Sequence, residues 1–114
     1  MAPAPQRAAD WDEGWQIIEV STGEGLRALC GYWQDQKESV YLLLPGAART
    51  LHVYTLRPSG RLRYTQHLVR LITQNGLPRV VWGTNRYTLM RRGSGSIRWQ
   101  GQGAGDKYDW IRLA

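Results

Sequence analysis

Two histidines, one cysteine and nine carboxylates are all that this 114-residue chain offers for acid–base, nucleophilic or metal chemistry. His52 and His67 stand fifteen positions apart and Cys30 is remote from both, so no His or Cys pair has the spacing of metal ligands. No metal and no cofactor is expected. Among the carboxylates, Asp109 is set between two aromatics, Tyr108 and Trp110. Such a setting can perturb a carboxyl group and mark a site, although an Asp in a strand more commonly faces solvent or bonds a loop amide. No Gly-x-Ser-x-Gly elbow is present. The chain reads as non-catalytic.

Chemistry for holding anions is better represented. Gly101-Gln102-Gly103-Ala104-Gly105 has the composition of a phosphate loop but lacks the Lys-Ser/Thr ending, so it reads as a hairpin tip. Arg91-Arg92-Gly93-Ser94-Gly95-Ser96 places two guanidinium groups beside unencumbered backbone amides, a combination that can grip a phosphate or sulfate oxygen. The charge is also segregated. Residues 1–38 carry seven carboxylates against three cations, a net −4. Residues 39–105 carry ten arginines and no carboxylate, and the last nine residues balance to leave +6 overall. Asymmetry of this kind points to an acidic partner for the middle of the chain, protein or nucleic acid. The residues expected to meet it are Arg57, Arg61, Arg63, Arg86, Arg91, Arg92 and Arg98, interleaved with Tyr64, Tyr87 and Trp99. The opposing expectation is that the acidic N-terminal third covers this face, with Glu19, Glu24 and Asp35 neutralising it.

Parity sharpens the picture. Trp99 shares a face with Ile97, so it is expected in the core with Arg98 outside. Tyr64 likewise goes with Leu62, leaving Arg61 and Arg63 outward. Two alternatives follow from other residues. Turn-proximal Trp11, Trp15 and Trp33 could stack on sugar rings, making a lectin-like carbohydrate-binding module. A small-ligand-binding β-barrel would instead need a pocket holding Asp109, His52 or His67.

The elements that must position these residues are strands. The stretch 97–113 sets the template: Ile97-Arg98-Trp99-Gln100 alternates, glycines release a loop, and Tyr108, Trp110 and Arg112 share one face of the return arm. Strands are expected over 15–20, 26–34 (with Gly31 as a bulge or close-approach point), 39–44, 51–57, 61–64, 79–82 and 86–92. Residues 21–25 and 35–38 read as turns. The run 39–44 is apolar on both faces, as a central or doubly covered strand would be. Residues 65–73 fit a helical stripe loosely, but Asn75-Gly76 is a hairpin signal and the strand reading is preferred. Aligning Val80-Val81-Trp82 with Ile97-Arg98-Trp99, and Tyr87-Thr88-Leu89-Met90-Arg91 with Tyr108-Asp109-Trp110-Ile111-Arg112, yields two related hairpins, the second with four more loop residues.

The expected fold is therefore all-β, an antiparallel meander of eight or nine short strands closing into a small barrel or sandwich. Residues 1–10 are a flexible Pro/Ala-rich tail and 11–114 a single β domain. Six Trp and six Tyr with no Phe must dominate the core, each buried ring covering about 150–250 Å². Cys30 is alone and reads as a small core hydrophobe. The first residues lack the basic and apolar regions of a secretory signal, and no apolar run is long enough to span a bilayer. An intracellular, reducing compartment is the corresponding expectation.

Overall fold

The computed structural model describes residues 14–17, 23–93 and 95–114. Nine strands and one short helix follow in order: β1 (Gln16–Ile17), α1 (Gly23–Arg27), β2 (Gly31–Asp35), β3 (Val40–Pro45), β4 (Thr50–Leu56), β5 (Leu62–Gln74), β6 (Leu77–Trp82), β7 (Tyr87–Gly93), β8 (Ser96–Gln100) and β9 (Lys107–Arg112). From β2 to β9 each strand pairs antiparallel with the next, and β9 pairs back onto β2 through Trp33↔Arg112, Gln34↔Ile111 and Asp35↔Trp110. The result is an eight-stranded antiparallel barrel in simple up-and-down order, and closure leaves β2–β9 no open sheet edge. The two-residue β1 adds outside this ring, against Arg91 and Met90 of β7.

Alternation builds the interior. Leu51, Val53 and Thr55 of β4 are buried, as are Tyr41 and Leu43 of β3, and Ile97 and Trp99 of β8 face in with Trp110 of β9. β5 is a strand throughout, so the hairpin reading of Asn75-Gly76 holds; both residues adopt positive φ, 53° and 78°, in the tight turn joining Gln74 to Leu77. Gly31 is a close-approach point. At φ 127° its missing Cβ lets the carbonyl of Ala114 come to 2.6 Å of where that atom would sit.

Two expectations change. Residues 26–34 are not one strand: α1 runs over Gly23–Arg27 and β2 starts only at Gly31. Leu26 and Leu29 are buried in the main core, so tertiary packing imposes a helical turn on a glycine-rich stretch of turn-like composition. The parity of 61–64 is also reversed. Thr55 faces in and pairs with Arg63, while Leu62 and Tyr64 lie outside, 64 % and 44 % exposed. With Tyr32, Val40, Leu42, Tyr54 and Leu56 they form an apolar outer face. β3 is central, between β2 and β4, but its outer residues are only half covered. Half of the expected strand 15–20, residues 18–20, lies outside the described residues, and β1 occupies Gln16–Ile17 of the rest.

One end of the barrel is closed. There Leu26, Leu29 and Trp33 pack together, the Trp33 indole donates to the Leu29 carbonyl at 2.9 Å, and Arg112 donates to the carbonyls of Ala28 and Cys30. The Arg112 guanidinium also lies 4.3 Å from the centre of the Trp33 ring. Among the described residues no helix is long and apolar enough to cross a membrane.

Candidate ligand-binding site

At the opposite end four hairpin connections, 36–39, 57–61, 83–86 and 101–106, surround a mouth. Below it lies a cavity of about 160 Å³ lined by Tyr41, Trp82, Tyr87, Trp99, Tyr108 and Trp110, with Arg57 at the lip. The two related hairpins seen in the sequence explain much of this lining. Register pairs Trp82 with Tyr87 across β6–β7 and Trp99 with Tyr108 across β8–β9. Each copy thus contributes one Trp–Tyr pair to the same wall. The copies touch: the Trp82 and Trp99 ring centres are 5.3 Å apart, and those of Tyr87 and Tyr108 are 5.6 Å apart.

Trp110 is the hub. It stacks on Tyr41 at 4.1 Å with 19° between the planes, and meets Trp82 and Trp99 edge-on at 5.4 and 5.5 Å. Offset and edge-to-face contacts of this kind hold rings in fixed positions. The indole N–H groups of Trp99 and Trp110 are buried without a hydrogen-bond acceptor among the described residues, and both belong to this wall.

The polar groups at the mouth are arranged in relays. Arg57 Nη1 donates to Ser39 Oγ at 3.1 Å and to Tyr41 Oη at 3.3 Å; Tyr41 in turn donates to Asp35 Oδ2 at 2.7 Å. The Asp35 carboxylate also accepts from the amides of Lys37 and Ser39, which folds the connection from β2 to β3. Across the mouth, Tyr87 donates to Asp106 Oδ1 at 2.8 Å. A Cβ at Gly101 would run into that Asp106 carboxylate, so a glycine is needed there for close packing, whereas Gly103 and Gly105 stand in open space at the hairpin tip. Burial, then the hydrogen bond to Asp35, pushes the Tyr41 phenol well above its ordinary pKa. The Asp106 hydrogen bond is the main cause of a smaller rise at Tyr87. Both phenols are therefore held as neutral donors to carboxylates.

The structure divides the seven arginines expected to form one face. Arg57, Arg61, Arg63 and Arg86 are exposed at the mouth end; Arg91 and Arg92 are exposed near the far end of β7. Arg98 is on the outer side of β8 as parity required, yet it is only 4 % exposed. Its guanidinium makes a two-pronged contact with Asp109, 2.5 Å from Nε and 3.0 Å from Nη2, and lies 4.2 Å from the Trp15 ring centre. Arg98 is therefore not available as an open surface contact. Of the acidic residues expected to cover arginines, Asp35 faces inward to Tyr41, Glu19 lies outside the described residues, and nothing is described of the Glu24 side chain.

The sugar-stacking candidates are placed as follows. Trp33 is 1 % exposed and belongs to the core, Trp15 is faced by Arg92 and Arg98, and Trp11 lies outside the described residues. None of Asp109, His52 and His67 lines the cavity. The two histidines do meet on the outer side of the barrel, ring centres 4.8 Å apart, with the His67 amide donating to His52 Nδ1. Among the described residues no group of three or more His, Cys, Asp or Glu could hold a metal ion. Cys30 is partly buried against the core, and burial pushes its thiol pKa up against the opposing effect of Arg27 and Arg112. The aromatic wall itself was not expected as a site, though the paired Trp and Tyr of the two related hairpins were its visible signal. Neither a protein-family model, nor a curated protein, nor a solved structure matches the chain.

Proposed function

We propose that the protein is a non-catalytic binding barrel whose ligand is small, about one ring in size, and enters through the arginine-fringed mouth. The observation that carries this reading is the cavity of about 160 Å³, walled by three Trp and three Tyr, at the end that α1 leaves uncovered. A cavity of about 150 Å³ is enough to take a benzene ring. Ligand sites are commonly lined by aromatic side chains with a few placed polar groups. Here the rings are locked by their mutual contacts and the polar groups by their relays. Binding would therefore order few side chains, which favours affinity.

A second reading is supported by charge. Arg57, Arg61, Arg63 and Arg86 form an exposed cationic fringe with no ion pair among the described residues, and an acidic protein or a nucleic acid could dock there. Salt separates the two, since binding that neutralises many phosphates weakens steeply with ionic strength. A carbohydrate-binding role has less support, because Trp33 is buried in the core and Arg98 lies against the ring of Trp15.

The test is a panel of single-ring compounds followed by indole fluorescence and thermal shift. At least one class is expected to perturb emission saturably and raise the melting temperature, with little dependence on whether salt is about 0.2 or about 0.5 M (screening lengths of about 7 and about 4 Å). A blank panel, alongside salt-steep binding of RNA or an acidic peptide, would replace this reading by the second.

A further inference from the structure

Resting on the proposed cavity site, we infer that its ligand class is a single planar ring bearing a carboxylate, with the ring among Trp82, Trp99 and Trp110 and the anionic group at Arg57. Three observations carry this. The first is size: the cavity accommodates one ring and opens at its lip on Arg57, so a substituent on that ring must meet the guanidinium.

The second is the charge of the lining. Arg57 is the one ionised side chain in the wall, and no carboxylate lines it. The two acidic groups behind the wall, Asp35 and Asp106, already accept hydrogen bonds from the Tyr41 and Tyr87 hydroxyls. Arg57 uses Nη1 for Ser39 and Tyr41, both neutral oxygens. Its Nε and Nη2 make no hydrogen bond or ion pair among the described residues, nor does the Tyr108 hydroxyl. The Nε–Nη2 edge of a guanidinium matches the two oxygens of a carboxylate. Among the described residues the lip thus offers guanidinium and phenol donors and no carboxylate, and a carboxylate ligand supplies acceptors only.

The third concerns the competing class. A box of Trp and Tyr is also the surface that attracts quaternary ammonium groups. A guanidinium at the lip opposes such a cation and favours an anion. Arg61, Arg63 and Arg86 around the same end add to that field.

Benzoate, benzyl alcohol and benzyltrimethylammonium share the ring and differ in charge. Titrating each into the full chain by calorimetry is expected to rank benzoate at least tenfold tighter than the alcohol, with the ammonium weakest. Arg57→Gln should remove the benzoate preference while leaving the alcohol within about threefold, and Arg57→Lys should restore only part of it. Arg57 also donates to Ser39 and Tyr41, so a thermal melt of each variant accompanies its titration, and affinities are compared at a temperature where parent and variant are both folded. Equal affinity for benzoate and the alcohol, or tighter binding of the ammonium, overturns the carboxylate inference while the cavity site stands. If no ring compound binds at all, the cavity reading falls and this inference falls with it.

Discussion

At Tyr41 the phenol is 4 % exposed, donates to Asp35, accepts from Arg57 and stacks on Trp110. Its pKa is raised above the ordinary value of 10.0, first by burial and then by the Asp35 hydrogen bond. The protonated phenol is thus held more tightly folded than unfolded. That contribution is complete below about pH 10 and drains away as pH rises from there through the folded-state value. Tyr41→Phe should cost about 1.5–3 kcal/mol at pH 8, the worth of a buried hydrogen bond to a charged group, and should flatten the alkaline loss of stability. Urea midpoints at pH 8, 10 and 11 check this; parallel alkaline limbs for parent and variant would contradict it. At this scale the sequence was partly legible. Parity correctly placed Trp99 inside and Arg98 outside, but it carried no sign that Trp15 would lie against Arg98 and Asp109 would pair with it. Burial of an outward charge depends on a segment more than eighty residues away in the chain, and local alternation cannot report that.

Among the elements, β4 was readable because strict alternation separates its buried and outer faces. The Asn75-Gly76 turn decided the ambiguous stretch before it. The start of β5 was misread for a physical reason. Assigning Leu62 and Tyr64 to the core assumes that the inner face is dry along the whole strand, but at the rim of an open barrel the inner face meets water. Arg63 therefore takes the inward parity and the apolar pair lies outside. Two substitutions of the same type separate the faces. Leu43→Ala, at a fully buried position on β3, should cost about 2–5 kcal/mol. Leu62→Ala, 64 % exposed, should change stability by about 0.5 kcal/mol or less. Chemical denaturation of both variants measures the difference, and comparable losses would show that Leu62 is in the core after all. α1 was not readable, because two glycines in five residues suggest a turn and only the burial of Leu26 and Leu29 makes the helical turn worthwhile.

For the whole molecule, the up-and-down barrel creates two unlike ends. α1, Trp33 and Arg112 close one; aromatic rings and a cationic fringe surround the other. The charge segregation in the sequence raised the expectation of an acidic partner, but only closure of β9 onto β2 brings Tyr41, from the second barrel strand, against Trp110, from the last. The site is a product of topology as much as of composition. The most direct measurement of the central claim is the indole N–H region of a ¹⁵N-labelled NMR titration with benzoate. The account predicts that the Trp82, Trp99 and Trp110 signals shift together and saturably while Trp33, bonded to Leu29 at the closed end, stays in place. Shifts confined to Trp15 or Trp33, or no shifts at saturating ligand, would contradict it.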